Sequence, residues 1–141
     1  MKKVLVILLA LMAAPSWSYS GAKDWASFNP ENGDSVRVAG FFMSGYWGAT
    51  GSTVLLSDDD HTRLILLHLQ IDAGQLDHQV SAFYANADND QVPLLTALQV
   101  CLETLISRTK DGVHLLNVIY QNVGGWKPFT TWADYKAQHG H

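Results

Sequence analysis

Six histidines, one cysteine and a run of three aspartates carry most of the reactive chemistry in this chain. Asp58-Asp59-Asp60-His61 bunches metal-binding side chains in sequence, and His139 and His141 flank a glycine. No two histidines stand four residues apart, the spacing that sets two ligands on one helical face. The acidic run reads better as a helix start. Ser57 can accept from the Asp60 amide while Asp60 reaches back, and carboxylates suit the positive end of a helix dipole. His68 lies in an apolar stretch, where a hydrogen-bonded core histidine is expected, and His78 and His114 are expected at the surface. Histidine titrates closest to neutrality, but no pattern singles one out as a sensor.

Nucleophilic chemistry finds no support. The chain has no G-x-S-x-G elbow. Cys101 has no glycine-rich or basic neighbours to lower its pKa. Being alone, it makes no intrachain disulfide. On the apolar side of a helix it is expected to pack as a small hydrophobe, the other reading being an intermolecular disulfide. Gly48–Thr53 (GATGST) resembles a phosphate loop in composition but lacks the GK[ST] end that grips phosphates. The expectation is a non-enzymatic protein with no metal or cofactor. The aromatic residues are better candidates for binding, since Trp and Tyr are enriched at hot spots. Trp47, among small residues, is assigned to the core. The Gly/Pro/Thr-rich tail carries the candidate partner-binding residues Trp126, Trp132 and Tyr135, with Trp126 packed and the other two partly exposed.

The elements that must hold these side chains follow from caps and periodicity. Gly21–Gly33 reads as an irregular lead-in anchored by Trp25 and Phe28. Asp34 or Ser35 caps a helix running from Val36 to about Gly51. On it Gly40, Ser44 and Gly48 share one face and would let another helix come close. Each glycine costs a helix about 1 kcal/mol, so a hairpin over Val36–Leu56 stays open. After the Ser57–Asp60 cap, Arg63–Ile71 is apolar nearly all round and reads as a buried helix, with a core strand as the alternative. Asp72 and Gln75 form a second capping pattern ahead of Leu76, Val80 and Phe83. Asn86–Asp90 is a polar turn. Asp90 or Asn89 caps the next helix with Pro93 in its first turn. The inner stripe there is Leu94, Leu98, Cys101 and Leu105, joined by Leu95 and Leu102, and Lys110 and Gly112 mark its end. Val113, Leu116, Tyr120 and Val123 fit a further helix closed by Gly124-Gly125, although Val118-Ile119-Tyr120 also suits a strand. Thr131 and Asp134 can cap a last short turn. The fold class expected is mostly α, a small single-domain helical bundle, with α+β and an N-terminal hairpin as the alternative.

The N-terminal residues bear on where such a domain would work. Met1-Lys2-Lys3, an apolar run from Val4 to Ala14, and Pro15 followed by small residues have the layout of a secretory signal peptide. The run is shorter than the roughly 20 residues a bilayer span needs. Residues 1–20 are therefore expected to be removed near Ser20, or at Ser18. That leaves 21–141 as one helical domain, periplasmic or secreted, with no membrane attachment. Without Lys2 and Lys3 the basic residues fall from nine to seven against thirteen acidic ones, a net charge of −6. Such a balance argues against nucleic acid and anionic lipid as partners and is compatible with a basic protein partner. A homodimer is also compatible.

Two segments carry a resemblance: Asp34–Gly48 (DSVRVAGFFMSGYWG), with its Gly45-Tyr46-Trp47-Gly48 step, and Phe83–Asp88 (FYANAD) ahead of the Leu94–Leu105 helix. In this order, behind a signal peptide and Trp25, the chain resembles the small periplasmic helical proteins that include type VI secretion amidase-immunity proteins and the HdeA acid chaperones. Ala85 stands where the corner of those proteins has a cysteine, and the lysine-rich flanks of HdeA are missing. The resemblance implies a protein-binding function, in its sharpest form an immunity protein that neutralises a periplasm-directed effector. An acid-stress chaperone is the alternative, and a small exported enzyme or metal carrier is a third.

Overall fold

The computed structural model describes residues 21–55 and 69–120 and, of the tail, Ala133 and Ala137. The described residues are mostly helical: α1 (Gly21–Ala26), a 3-10 turn (Pro30–Asn32), α2 (Asp34–Leu55), α3 (Ala73–Ala85), a second 3-10 turn (Ala87–Asn89), α4 (Leu94–Arg108) and α5 (Gly112–Ile119). None of their helices is long and apolar enough to cross a membrane. Residues 1–20, the Ser57–Asp60 cap, Arg63–His68, Val123–Gly125 and the aromatic tail with Trp126, Trp132 and Tyr135 lie outside the described residues.

The mostly α reading holds, and the hairpin alternative falls because α2 is one continuous helix through all four of its glycines. Tertiary packing outweighs glycine's propensity cost in a helix this long. The lead-in is more ordered than its composition suggests. α1 is helical because Trp25 is buried, edge-on to Phe28 at 5.9 Å, with its indole N–H donating to Ser81 Oγ at 3.0 Å. The capping box is present at α3: Asp72 accepts from the Gln75 amide at 2.8 Å and Gln75 returns the bond at 2.9 Å. Leu76, Val80 and Phe83 then form the buried stripe.

α4 is the central element. It packs against α1, α3 and α5, and α2 lies across α3, α4 and α5. Its burial extends nearly all round, from Leu94 through Leu102 and on to Ile106, with Cys101 among the buried residues. Leu95 and Leu105 are only partly covered. Three details depart from expectation. Pro93 itself is the N-cap of α4, with no side-chain cap, because Asn89 is instead turned inward to donate to the Phe83 carbonyl at 2.9 Å. α4 stops at Arg108, and Gly112 opens α5 rather than closing α4. Asp111 takes the left-handed conformation (φ 62°), which aspartate tolerates better than most residues. Gly112 is required for space, since a Cβ there would run into the Ile106 carbonyl. The inner face of α5 is Leu115, Leu116, Ile119 and Tyr120, so Val113 points outward and is 45% exposed. Leu69 and Ile71, assigned to a buried helix, are half-buried and non-helical where the chain enters α3.

Candidate functional site: a presented helix face over a buried carboxylate

The 22 residues of α2 divide into two faces. At about 100° per residue, Ser35, Ala39, Tyr46 and Thr50 fall together, and all four are buried. Arg37, Phe41, Ser44, Gly45 and Gly48 fall opposite, and all five are exposed. Among the described residues Phe41 is the most exposed large hydrophobic side chain, at 78%. A Cβ added at Gly45 or Gly48 would meet nothing within 4 Å. The expected stripe of small residues therefore does not serve helix packing along its length. Only Gly40 sits against a neighbour, where an added Cβ would lie 3.7 Å from Ala73 Cβ. The result is a narrow outer face from which one aromatic ring projects. Arg37 stands one turn before Phe41, its guanidinium held 3.3 Å from Asp34.

A polar cluster fixes how α2 is turned. Glu103 of α4 is only 1% exposed. Its Oε2 accepts the Tyr46 hydroxyl of α2 at 2.9 Å and the Tyr120 hydroxyl beyond α5 at 2.6 Å. Gln99, one turn before Glu103, donates from Nε2 to the Tyr120 hydroxyl and, at 3.4 Å, to Glu103 Oε2. Thr50 donates to the Tyr46 carbonyl at 2.8 Å, and Trp47 lies edge-on to Tyr46 at 5.1 Å. Hydrogen bonds to an ionised acceptor inside a low-dielectric core are among the strong ones. Burial, then the Glu103 carboxylate and the Tyr120 hydroxyl, push the Tyr46 phenol well above its ordinary pKa. Three elements are thus pinned at one oxygen. Rotating α2 to bury Phe41 would tear Tyr46 from Glu103.

Such a cluster can orient and lock. A carboxylate this deeply covered does not meet a dissolved substrate in this conformation. Burial likewise raises the Cys101 thiol, against a smaller opposing effect of Arg108, so Cys101 is protonated at neutral pH and packs as expected. His78 and His114 are exposed. Among the described residues no group of three or more His, Cys, Asp or Glu side chains is arranged to hold a metal ion. Trp47, assigned to the core, is half-buried against it.

Neither Phe41 nor Glu103 was singled out by sequence. Phe41 sits beside Phe42 and Met43 and reads as bulk. For Glu103 a signal existed: it is the sole charged residue between Leu94 and Ile106, and a helix apolar nearly all round is a central one. No protein-family model matches the chain, and neither the curated proteins nor the solved structures contain a match.

Proposed function

We propose that this is an exported, non-catalytic protein-binding protein of the immunity kind, which plugs a cell-wall-degrading toxin delivered to the periplasm. The observation that carries the reading is Phe41, 78% exposed on a helix face whose other exposed residues are Arg37 and the small Ser44, Gly45 and Gly48. Helix-in-groove recognition uses anchors spaced along one helical face, and Arg37 and Phe41 are spaced that way. Serine and glycine on either side keep the face thin enough to enter a cleft to backbone depth. The Glu103 cluster supports the same reading, because a face locked before binding loses little entropy on docking. The acidic charge of the exported chain favours a basic effector, steering encounter at low salt. Trp126, Trp132 and Tyr135 remain proposed additional contacts on sequence grounds.

The test is to sequence the adjacent gene and, where it encodes a peptidoglycan amidase without an export signal, to titrate that amidase calorimetrically with the purified protein; an adjacent gene of another kind counts against the reading. Binding at neutral pH, weakened about 30-fold or more by Phe41→Asp as for a hot spot of 2 kcal/mol, supports the reading. The variant's melting temperature should stay at the wild-type value, since an exposed substitution changes stability by less than about 0.5 kcal/mol. Absence of amidase binding, together with loosening and dye binding near pH 3, would instead favour the acid-chaperone alternative.

A further inference from the structure

Two dipeptides in this chain place a glycine nitrogen where it can attack the preceding side chain: Asn32-Gly33, the sole Asn-Gly, and Asp111-Gly112, the sole Asp-Gly. Glycine has no side chain to crowd its nitrogen, and its backbone reaches conformations other residues avoid. The attack needs the amide proton to leave and the peptide to turn, so a hydrogen-bonded, packed amide is barred from it. The fold treats the two glycines oppositely. Gly112 is buried, its amide donates to the Thr109 carbonyl at 3.1 Å, and the Ile106 carbonyl crowds it. Asn32, by contrast, is exposed at the end of the first 3-10 turn. Among the described residues neither its side chain nor the Gly33 amide is engaged in a hydrogen bond. Gly33 has a left-handed φ of 74°, and a Cβ built on it would meet nothing within 4 Å. A surface turn of this length opens at the low end of the stability range within a fold.

The other described asparagines are protected. Asn29 precedes Pro30, and a proline nitrogen carries no proton. The Asn86 side chain is engaged by the Asp88 amide at 3.0 Å. Asn89 is buried, and the amide that follows it, that of Asp90, donates to the Ala87 carbonyl at 3.1 Å. Asn117 lies within α5.

We propose that Asn32 is a self-modifying site at the root of α2, converted in the folded protein to aspartate and isoaspartate. The Gly33 nitrogen attacks Asn32 Cγ and gives up its proton to water. The bond from Cγ to the side-chain nitrogen breaks, and that nitrogen leaves as ammonia. The five-membered imide then takes up water. Opening at Cγ gives aspartate, and opening at the backbone carbonyl gives isoaspartate, with the main chain routed through Cγ. Either product carries a carboxylate where an amide stood. Negative charge is favoured at a helix start, so the fold accepts it ahead of α2. The isoaspartyl form also lengthens the main chain by one carbon within a span that is tied at both ends. There the Asn29 amide donates to Asp34 Oδ2 at 3.3 Å and the Asp34 amide to the Asn29 carbonyl at 3.2 Å. Arg37 is held by the same Asp34, so the change reaches the base of the face that carries Phe41. The chemistry needs neither export nor a partner.

The full-length chain is aged in warm, mildly alkaline buffer, folded and, in parallel, unfolded in urea. Trypsin releases the Asp24–Arg37 peptide, and chromatography with mass spectrometry follows the replacement of the Asn32 amide by an acid and separates the two products. Conversion of Asn32 in the folded protein is expected at a rate less than about tenfold below that of the unfolded chain, as for a segment that opens at little cost. Isomerisation of Asp111, read as isoaspartate at that position, is expected to be slowed by folding about tenfold or more. Protection of Asn32 by about tenfold or more overturns the proposal. An acidic product that forms equally fast in Asn32→Ser overturns it as well. Equal protection of the two sites overturns the role given to the unbonded Gly33 amide.

Discussion

Removing the Tyr46 hydroxyl tests the lock on α2 directly. Tyr46→Phe deletes one donor to Glu103 Oε2, a bond of 2.9 Å in a side chain only 1% exposed. A hydrogen bond to a charged group contributes about 1.5–3 kcal/mol. The substitution fills the same volume, so no cavity cost is added. Tyr120→Phe removes the 2.6 Å bond to the same oxygen and also the acceptor of the Gln99 amide, so it should cost at least as much. The double variant removes both phenol donors from the buried carboxylate, leaving the 3.4 Å bond from Gln99, and its loss should be larger than the summed single losses of about 3–6 kcal/mol. The two losses should therefore exceed additivity, by about 1 kcal/mol, because either phenol alone still serves the carboxylate. Urea unfolding at 25 °C and neutral pH, followed by tryptophan fluorescence, measures all four corners of the cycle. Glu103→Gln placed on the double variant should recover part of the loss by removing the charge. If Tyr46→Phe stays within 0.5 kcal/mol of wild type, or the two variants add without coupling, the carboxylate does not hold α2 as argued.

Alkaline stability follows from the raised Tyr46 phenol and Cys101 thiol. Both keep protons in the folded state that the unfolded chain gives up, so their contribution is intact below about pH 8.5–10 and is lost as pH climbs further. Urea unfolding between pH 9 and 11 should show stability falling, with each such group adding about 1.4 kcal/mol per pH unit to the slope. Tyr46→Phe should flatten the fall above pH 10, and an identical slope in the variant would count against the assignment. Asp72→Ala removes the capping acceptor of the Gln75 amide and should cost about 1 kcal/mol by chemical denaturation. Leu98→Ala, at a fully buried position of α4, should cost about 2–5 kcal/mol, whereas a loss under 1 kcal/mol would mean the core collapses around the gap.

Local rules carried much of the fold because their physics is local. The Asp72–Gln75 box, the Leu76–Val80–Phe83 stripe and the buried Leu94, Leu98 and Cys101 of the α4 stripe all depend on neighbours within one or two turns and are found where the spacing places them, whereas Leu105 of that stripe is only partly covered. The boundaries around α4 and the register of α5 were not legible. Pro93 takes the cap because Asn89 is drawn inward to the Phe83 carbonyl, and Gly112 is demanded by the Ile106 carbonyl. Both contacts arise from how neighbouring segments pack, which no helical period records. The same holds for α2. Its sequence carries four glycines and a cluster of aromatics, and periodicity alone does not say which ring is covered. Caps and periodicity gave the helical class, composition the acidic balance, and the order of the first twenty residues their leader-like layout. Only the tertiary structure joined Tyr46, Gln99, Glu103 and Tyr120, residues up to 74 positions apart in the chain, at one buried oxygen. That convergence decides which way α2 faces, and with it that Phe41 stands in solvent.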